Sequence, residues 1–491
     1  MKSCLFHNFR QHEKLVAFNY VDQKKETTYE DLSLEARQLL TFLKKQGIKK
    51  RDYVLVAFES EKDLLISFLA LSSLGAILLP VAPHCTSYEL KNIAKLVNFK
   101  TVLCDYSFLI DHTDFFLSHK NLEAVLTLKN GDQELSHELF FLHNCLTPSK
   151  KPDKLTAPEH DQVVTCHMTF KGFATPLGVE HTYEDYLYAI ESCARIFDFK
   201  PRHRLLLTLP SYPVFGLVTN LLFPIFEGCE LYVSDKKLSS ILQLIERYEI
   251  QHMNVVPVIL EKMLLEASKL REKRDLSHLT IVAGGSYLTP HLFNQISEKF
   301  NLKVTQGYGL TETLPILTNH PKDPQPATLG MLMRPGVELK ILDSKGFEVP
   351  KGKAGEICLR GQGVITKYIG DESFRDQLFR SGWLRTGDLA YFNEQNQIIF
   401  LGRRLNFTKV LGNMVDLKEI EELCKTIFGV KMARAFMSVE REREKLTLSL
   451  FVSKDFLLTK KEIAEKIRQN LSNYKVPSLI KIYKTSFEEI Q

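Results

Sequence analysis

Paired cysteines are missing from this chain. Its nine cysteines (Cys4, Cys85, Cys104, Cys145, Cys166, Cys193, Cys229, Cys358 and Cys424) are scattered, odd in number and form no C-x-x-C pair. That usage excludes a disulfide scaffold or a zinc ribbon and fits a reducing, cytoplasmic setting. A charge excess is missing as well: 64 basic against 59 acidic residues leave a net charge of +5. No stretch interleaves basic with aromatic residues, so no nucleic-acid partner is expected. A long apolar run is also lacking. The most apolar stretch, Leu64 to Pro80, is broken by three serines and a glycine and closed by proline. It reads as a buried helix followed by a strand, not as a transmembrane segment. The opening "MKSCLFHNFRQHEK" lacks the apolar core of a signal peptide. The expectation is a soluble chain, with peripheral membrane contact through an apolar surface left open. The single tryptophan, Trp383, reads as packing.

What the chain does have is length and alternation. At 491 residues it exceeds the size at which one core stops growing, so at least two domains are expected. Near the start a hairpin precedes a helix that Thr28 caps with Asp31 in its first turn; Leu32, Ala36, Leu39, Leu40 and Leu43 form its buried stripe and Gly47 ends it. Then "DYVLVAF", "AILLPV" and "KTVLC" alternate with helical segments, and the rhythm returns in "HRLLLTLP", "GCELYVS", "HMNVVP" and "LTIVAGG". Branched strands alternating with helices predict parallel, helix-covered sheets. After about Leu401 the pattern changes to a small α+β unit, whose last helix opens with a Thr459/Glu462 capping box. The expected division is 1–402 for a large N-terminal domain and 403–491 for a small mobile C-terminal one. Gly402 to Asn406 would be the hinge.

One stretch carries chemistry beyond its turn potential. In "VTQGYGLTET", Val304 to Thr313, glycines admit close approach of a ligand to backbone, tyrosine offers a flat face, and Thr311 beside Glu312 suits phosphate oxygen and a metal. A strand-to-loop turn is the plainer reading of that stretch alone. It is followed or preceded, in order, by "GGSYL" (Gly284 to Leu288), "KYIGDESF" (Lys367 to Phe374), "GWLRTGD" (Gly382 to Asp388), "GRRLNFTKVLGNMVDLKEIE" (Gly402 to Glu421) and "NYKVPSLI" (Asn473 to Ile480). Together these six resemble the adenylate-forming (AMP-binding) superfamily of acyl-CoA and acyl-carrier-protein synthetases, aryl-CoA ligases, luciferases and peptide-synthetase adenylation domains. The resemblance runs from Gly75 to the end of the chain.

The resemblance implies a large α/β domain of parallel, helix-covered sheets plus a distorted barrel, with a small α+β domain behind it. It implies that a carboxylic acid, a fatty one by expectation, attacks the α-phosphate of ATP. An acyl adenylate forms, and a thiol of CoA or of carrier-protein phosphopantetheine takes the acyl group. Tyr308 would stack on adenine beside Gly284, Gly285 and Gly309, Thr311 would meet the α-phosphate, and Glu312 would position Mg2+. Asp388 would accept both ribose hydroxyls, for which a carboxylate with two acceptor oxygens is suited. Arg403 would lie over ribose and phosphate, and Lys409 with Gly412 would face the thiol tunnel. Phe215, Val255 and Gly309 align with the acyl pocket.

Two segments depart from the family pattern. The phosphate loop, normally T-S-G-T-T-G-x-P-K-G-V, reads "TFKGFATPLGV" from Thr169 to Val179, with Leu177 in place of lysine and Lys171 in place of glycine. The tail reads "YKTSFEEIQ", placing Glu488 and Glu489 where glycine and a catalytic lysine belong. Reversing one unit charge there changes the sign of an interaction worth roughly 4 kcal/mol at about 4 Å and an effective dielectric of about 20. Pro213 stands where histidine is frequent, and Leu405 where the hinge usually has aspartate or lysine. Two functions follow: an ATP-dependent acid:thiol ligase, with Lys171 or Lys484 substituting for the lost lysines, or a weakened homologue that binds AMP or an acyl adenylate.

Overall fold

The computed structural model describes residues 6, 11–129, 131, 142–171, 175–234, 241–268, 274–370, 378–403, 407–411, 413–440, 443–453 and 456–484. Two large sheets carry the N-terminal part. In the first, strands Tyr53–Ala57, Ile77–Pro80, Thr101–Cys104, Ala124–Thr127 and His143–Cys145 run parallel, and Val163–Thr169 joins them beside Ile77–Pro80. Leu177–Thr182 folds back antiparallel on Val163–Thr169 and sets Leu177 opposite Thr169. In the second, Glu230–Val233, Arg204–Leu206, His252–Val255, Thr280–Ala283 and Val304–Leu310 are parallel neighbours. Helices Tyr29–Lys45, Glu61–Leu74 and Tyr183–Ile196 lie between, because their apolar stripes and both sheets share one core that includes Leu40, Phe68, Leu78, Tyr186 and Leu231. The run Leu64 to Pro80 is the helix and strand its sequence implies; among the described residues no helix is long and apolar enough to cross a membrane.

Local signals set these boundaries. Thr28 and Asp31 form a reciprocal capping box, as do Thr459 and Glu462. A five-stranded antiparallel sheet, from Val337–Leu342 to Ile398–Arg403, stands where the distorted barrel is expected. Trp383 packs there under the Arg360 guanidinium, 4.5 Å from its ring centre. The small C-terminal domain has its own core, built by Val415, Ile420, Leu448, Leu450, Ile463 and Ile467. It contains the hairpin Phe407–Val410/Asn413–Asp416 and a three-stranded sheet ending in Leu479–Lys484. Leu405, Gly412, Glu488 and Glu489 lie outside the described residues, as does most of the expected hinge.

Candidate active site

The stretch Val304–Leu310 is one continuous strand that carries its glycines into a hairpin with Leu314–Thr318; it does not turn at Gly307. Gly309 is required sterically, since an added Cβ would sit 2.5 Å from the Leu314 carbonyl oxygen. At Gly284 an added Cβ would meet the tip of the Phe215 ring at 2.6 Å, so a larger residue would have to displace that ring. Gln306 ties the two segments together, accepting from Leu288 N at 2.8 Å and donating to Ser286 O at 3.2 Å. This strand therefore brings Gly285, Gly307, Tyr308 and Gly309 to the junction of two cavities.

The first cavity, of about 230 Å³, is mainly apolar, with Phe215, Val256, Val282, Leu317 and Met333 in its wall. Val255, expected there, is fully buried in the core behind the second sheet, because alternation along His252–Val255 points it away; its neighbour Val256 lines the cavity. The second cavity, of about 290 Å³, lies between the large domain and the small one, with Tyr287, Phe400, Thr408 and Met437 around it.

Asp388 lies on strand Trp383–Phe392, directly opposite Arg403 across the ladder. Its carboxylate is fully buried and accepts the Tyr308 hydroxyl at 2.7 Å. Glu356 holds the turn before it, accepting from Gly387 N at 2.9 Å and from Arg385 Nε at 3.0 Å. Tyr308 and Asp388, eighty positions apart, are thus brought together. Thr311 lines the first cavity, and its carbonyl accepts Nε2–H of the buried His181 at 2.6 Å. Sequence reasoning passed over His181, which no local motif marks.

Glu312 is turned away from both cavities. Its Oε1 lies 3.0 Å from Lys171 Nζ with both side chains fully buried, and it also accepts the Tyr368 hydroxyl at 3.1 Å. Burial alone would push this carboxyl up, but the Lys171 charge and hydrogen bonds hold it below its ordinary range. The resemblance assigns Mg2+ to Glu312, and the donor set does not fit a resident ion. The one carboxylate is already paired with an ammonium through Oε1. Its buried Oε2, without a hydrogen-bond partner among the described residues, is a single donor, and among the described residues no three His, Cys, Asp or Glu side chains group together as metal ligands. Thr169, fully buried, has a hydroxyl with no hydrogen-bond partner among the described residues and lines neither cavity. Leu177 is only 2% exposed and packs inward.

A second buried ammonium went unassigned in the sequence. Lys475, within "NYKVPSLI", reaches Glu89 Oε1 at 2.6 Å and Glu419 Oε2 at 2.9 Å and lies 4.6 Å from the centre of the Phe170 ring. Ser472 Oγ donates to Glu89 at 2.7 Å, and Thr86 Oγ1 donates to Asn470 O at 2.6 Å, so the helix Ser87–Leu96 is tied to the small domain. Burial pushes the Glu419 carboxyl up to about 7, against the pull of Lys475. For Glu89 burial also pushes upward, but the charge and hydrogen bond of Lys475, with hydrogen bonds from Thr86 and Ser472, carry it below its ordinary range. The hairpin turn places Leu411 and Asn413 at the first cavity, where Asn413 accepts the Tyr212 hydroxyl at 3.2 Å. Lys409 pairs with Met414 in the register of that hairpin.

Residues 5–369 match the family model described as AMP-binding enzyme. The chain belongs to the AMP-binding enzyme family. It is 25% identical over 469 residues to 4-coumarate–CoA ligase 2 of Nicotiana tabacum, covering 91% of this chain and 84% of that one. It is 26% identical over 418 residues to 4-coumarate–CoA ligase of Vanilla planifolia, covering 81% and 74%. Among solved structures, the amide bond synthetase of Marinactinospora thermotolerans superposes with a TM-score of 0.85 at 20% identity, over 98% of this chain and 96% of that one. A double mutant of o-succinylbenzoate CoA synthetase from Bacillus subtilis, bound with its product analogue, gives 0.83 at 20% identity over 98% and 94%. These structures share the AMP-binding fold, a large α/β domain followed by a small C-terminal one.

Proposed function

We propose that this AMP-binding enzyme activates a compact apolar carboxylic acid with ATP and transfers the acyl group to a thiol, that of CoA in the first instance. The carrying observation is the junction itself: an apolar cavity ends at Gly284 and Thr311, where the Tyr308–Asp388 pair begins. In the first step a carboxylate oxygen of the acid bonds the α-phosphorus and the bond to the β-phosphate oxygen breaks, releasing pyrophosphate. In the second the thiol sulfur bonds the acyl carbon, AMP leaves with the electron pair, and the thiol proton passes to solvent. Thr311 would receive the α-phosphate, Tyr308 the adenine, Asp388 the ribose and Arg403 the negative charge between them. Lys409, in the hairpin that meets the first cavity, would flank the thiol path. Residues 1–402 and 403–491 would move as two bodies about 403–406.

The choice of acid is supported by cavity size and by the relatives. A cavity of about 230 Å³ falls below the roughly 300–1,000 Å³ of pockets that hold drug-sized ligands. That supports a ring-bearing or medium-chain acid over a long fatty one, and the named relatives act on 4-coumarate. A cytoplasmic setting agrees with the unpaired cysteines. A carrier protein is the competing thiol donor.

One observation supports the binding homologue as a second reading. The loop cation expected to replace the lost lysine, Lys171, is engaged by Glu312, while Leu177 is buried and Phe170 lies against Lys475. ATP–pyrophosphate exchange against coumaric, benzoic, octanoic and palmitic acids decides. Exchange at ordinary ligase rates with one of them establishes the ligase. If there is none, and Leu177→Lys with Glu488→Gly and Glu489→Lys adds none while AMP still binds, the binding role stands.

A further inference from the structure

We infer that Lys171 supplies, as a built-in ammonium, the positive charge at Glu312 for which the family resemblance calls on a divalent cation. That position would then need no resident metal. The pairing is close and closed: 3.0 Å between Nζ and Oε1, with both side chains inaccessible to solvent. The same Oε1 accepts the Tyr368 hydroxyl, and the Glu312 backbone carbonyl accepts Ile365 N at 3.2 Å, so one further segment holds both the side chain and the backbone of Glu312. Carboxylate and ammonium cancel. A divalent ion bound to Glu312 would stand beside a fixed like charge, and it would bring a shell of oxygen ligands and waters into a position that solvent does not reach.

The position of Lys171 explains the pairing. It follows the strand Val163–Thr169 with the Phe170 ring packed against Lys475, so the chain leaves the strand with its next side chain directed into the interior toward Glu312. Glycine, which the family pattern has there, could not reach. Lys171 therefore acts as a positioning residue for the Thr311–Glu312 turn, and any ion on the polyphosphate of ATP arrives as part of the substrate. The nucleotide consequence rests on the function proposed above; the metal consequence does not.

The test titrates Mn2+ into the full chain, read by electron paramagnetic resonance, and compares AMP-induced melting shifts in EDTA and in MgCl2. The wild-type chain should hold no Mn2+ that Glu312→Gln releases, and AMP should raise the melting temperature equally in both buffers. Lys171→Ala and the milder Lys171→Gln should each gain a Mn2+ site at least about tenfold tighter than any in the parent. Adding Glu312→Gln should abolish that gain. Wild-type Mn2+ that Glu312→Gln releases, or an AMP shift present in MgCl2 and lost in EDTA, overturns the inference. So does a folded Lys171→Gln chain without the new site. No AMP shift in either buffer would sink the nucleotide reading and leave the Mn2+ result to decide this one. If Lys171→Ala does not fold, the wild-type and Lys171→Gln arms decide.

Discussion

On the function proposed above, the end assigned to the nucleoside and the end assigned to the polyphosphate are built on opposite plans. At the end assigned to the nucleoside, the Asp388 carboxylate accepts a neutral hydroxyl, that of Tyr308. At the polyphosphate end each charge is closed inside the protein: Lys171 on Glu312, and Lys475 between Glu89 and Glu419 beneath the Phe170 ring. On the proposed function, the first arrangement suits a carboxylate that trades a neutral partner for a ligand, and the second suits charges committed to structure.

The polyphosphate end breaks most severely at Lys475. Lys475→Met leaves two carboxylates buried without their cation and should lower unfolding free energy by about 3–5 kcal/mol. Urea unfolding measures this, and a loss below about 1 kcal/mol would mean that water reaches the cluster. The nucleoside end breaks next at Asp388. Asp388→Ala should weaken AMP binding roughly 100-fold or more, since it removes two hydrogen bonds to a charged acceptor worth about 1.5–3 kcal/mol each. Calorimetry that finds unchanged affinity would misplace the ribose.

Acidity sharpens the contrast more gently. The folded Glu419 carboxyl titrates at about 7 against an ordinary 4.5, with Lys475, Glu89 and Asp416 around it. The folded state thus holds a proton that the unfolded chain gives up across this window. Its stabilising contribution is full below about pH 4.5, declines as pH rises through about 7, and is flat above. Glu89, shifted downward, acts in the opposite sense at lower pH. Relative to Glu419→Gln, the parent should lose stability between pH 5 and pH 8; a difference that stays level or grows refutes the assignment. The smallest effect is at Tyr308. Tyr308→Phe keeps the ring and removes the hydrogen bond that competes for Asp388, so AMP should bind equally or up to about threefold tighter. A marked loss would give the hydroxyl a direct ligand role.

Much of this was readable before any coordinates. Capping boxes at Thr28 and Thr459, the branched strands and the apolar run from Leu64 all rest on short-range patterns, which survive folding unchanged. The clustering of Tyr308 with Asp388 was readable only through the family resemblance. Lys171 was read as a stray phosphate contact, because its distance to Glu312 spans 141 positions and two sheets. Glu89 and Lys475, 386 positions apart, gave no signal. Glycines at 307 and 309 suggested a turn; at Gly309 the stronger demand was steric room for the adjoining strand.

The contrast between the two ends is tested most directly by comparing AMP and ATP affinities for the full chain by titration calorimetry. If the nucleoside end carries recognition and the polyphosphate end is internal scaffold, ATP should bind within about fivefold of AMP, since the two added phosphates meet no cation left open by Lys171 or Lys475. ATP binding about a hundredfold tighter than AMP would contradict this, and would show that the loop opens to embrace the polyphosphate after all.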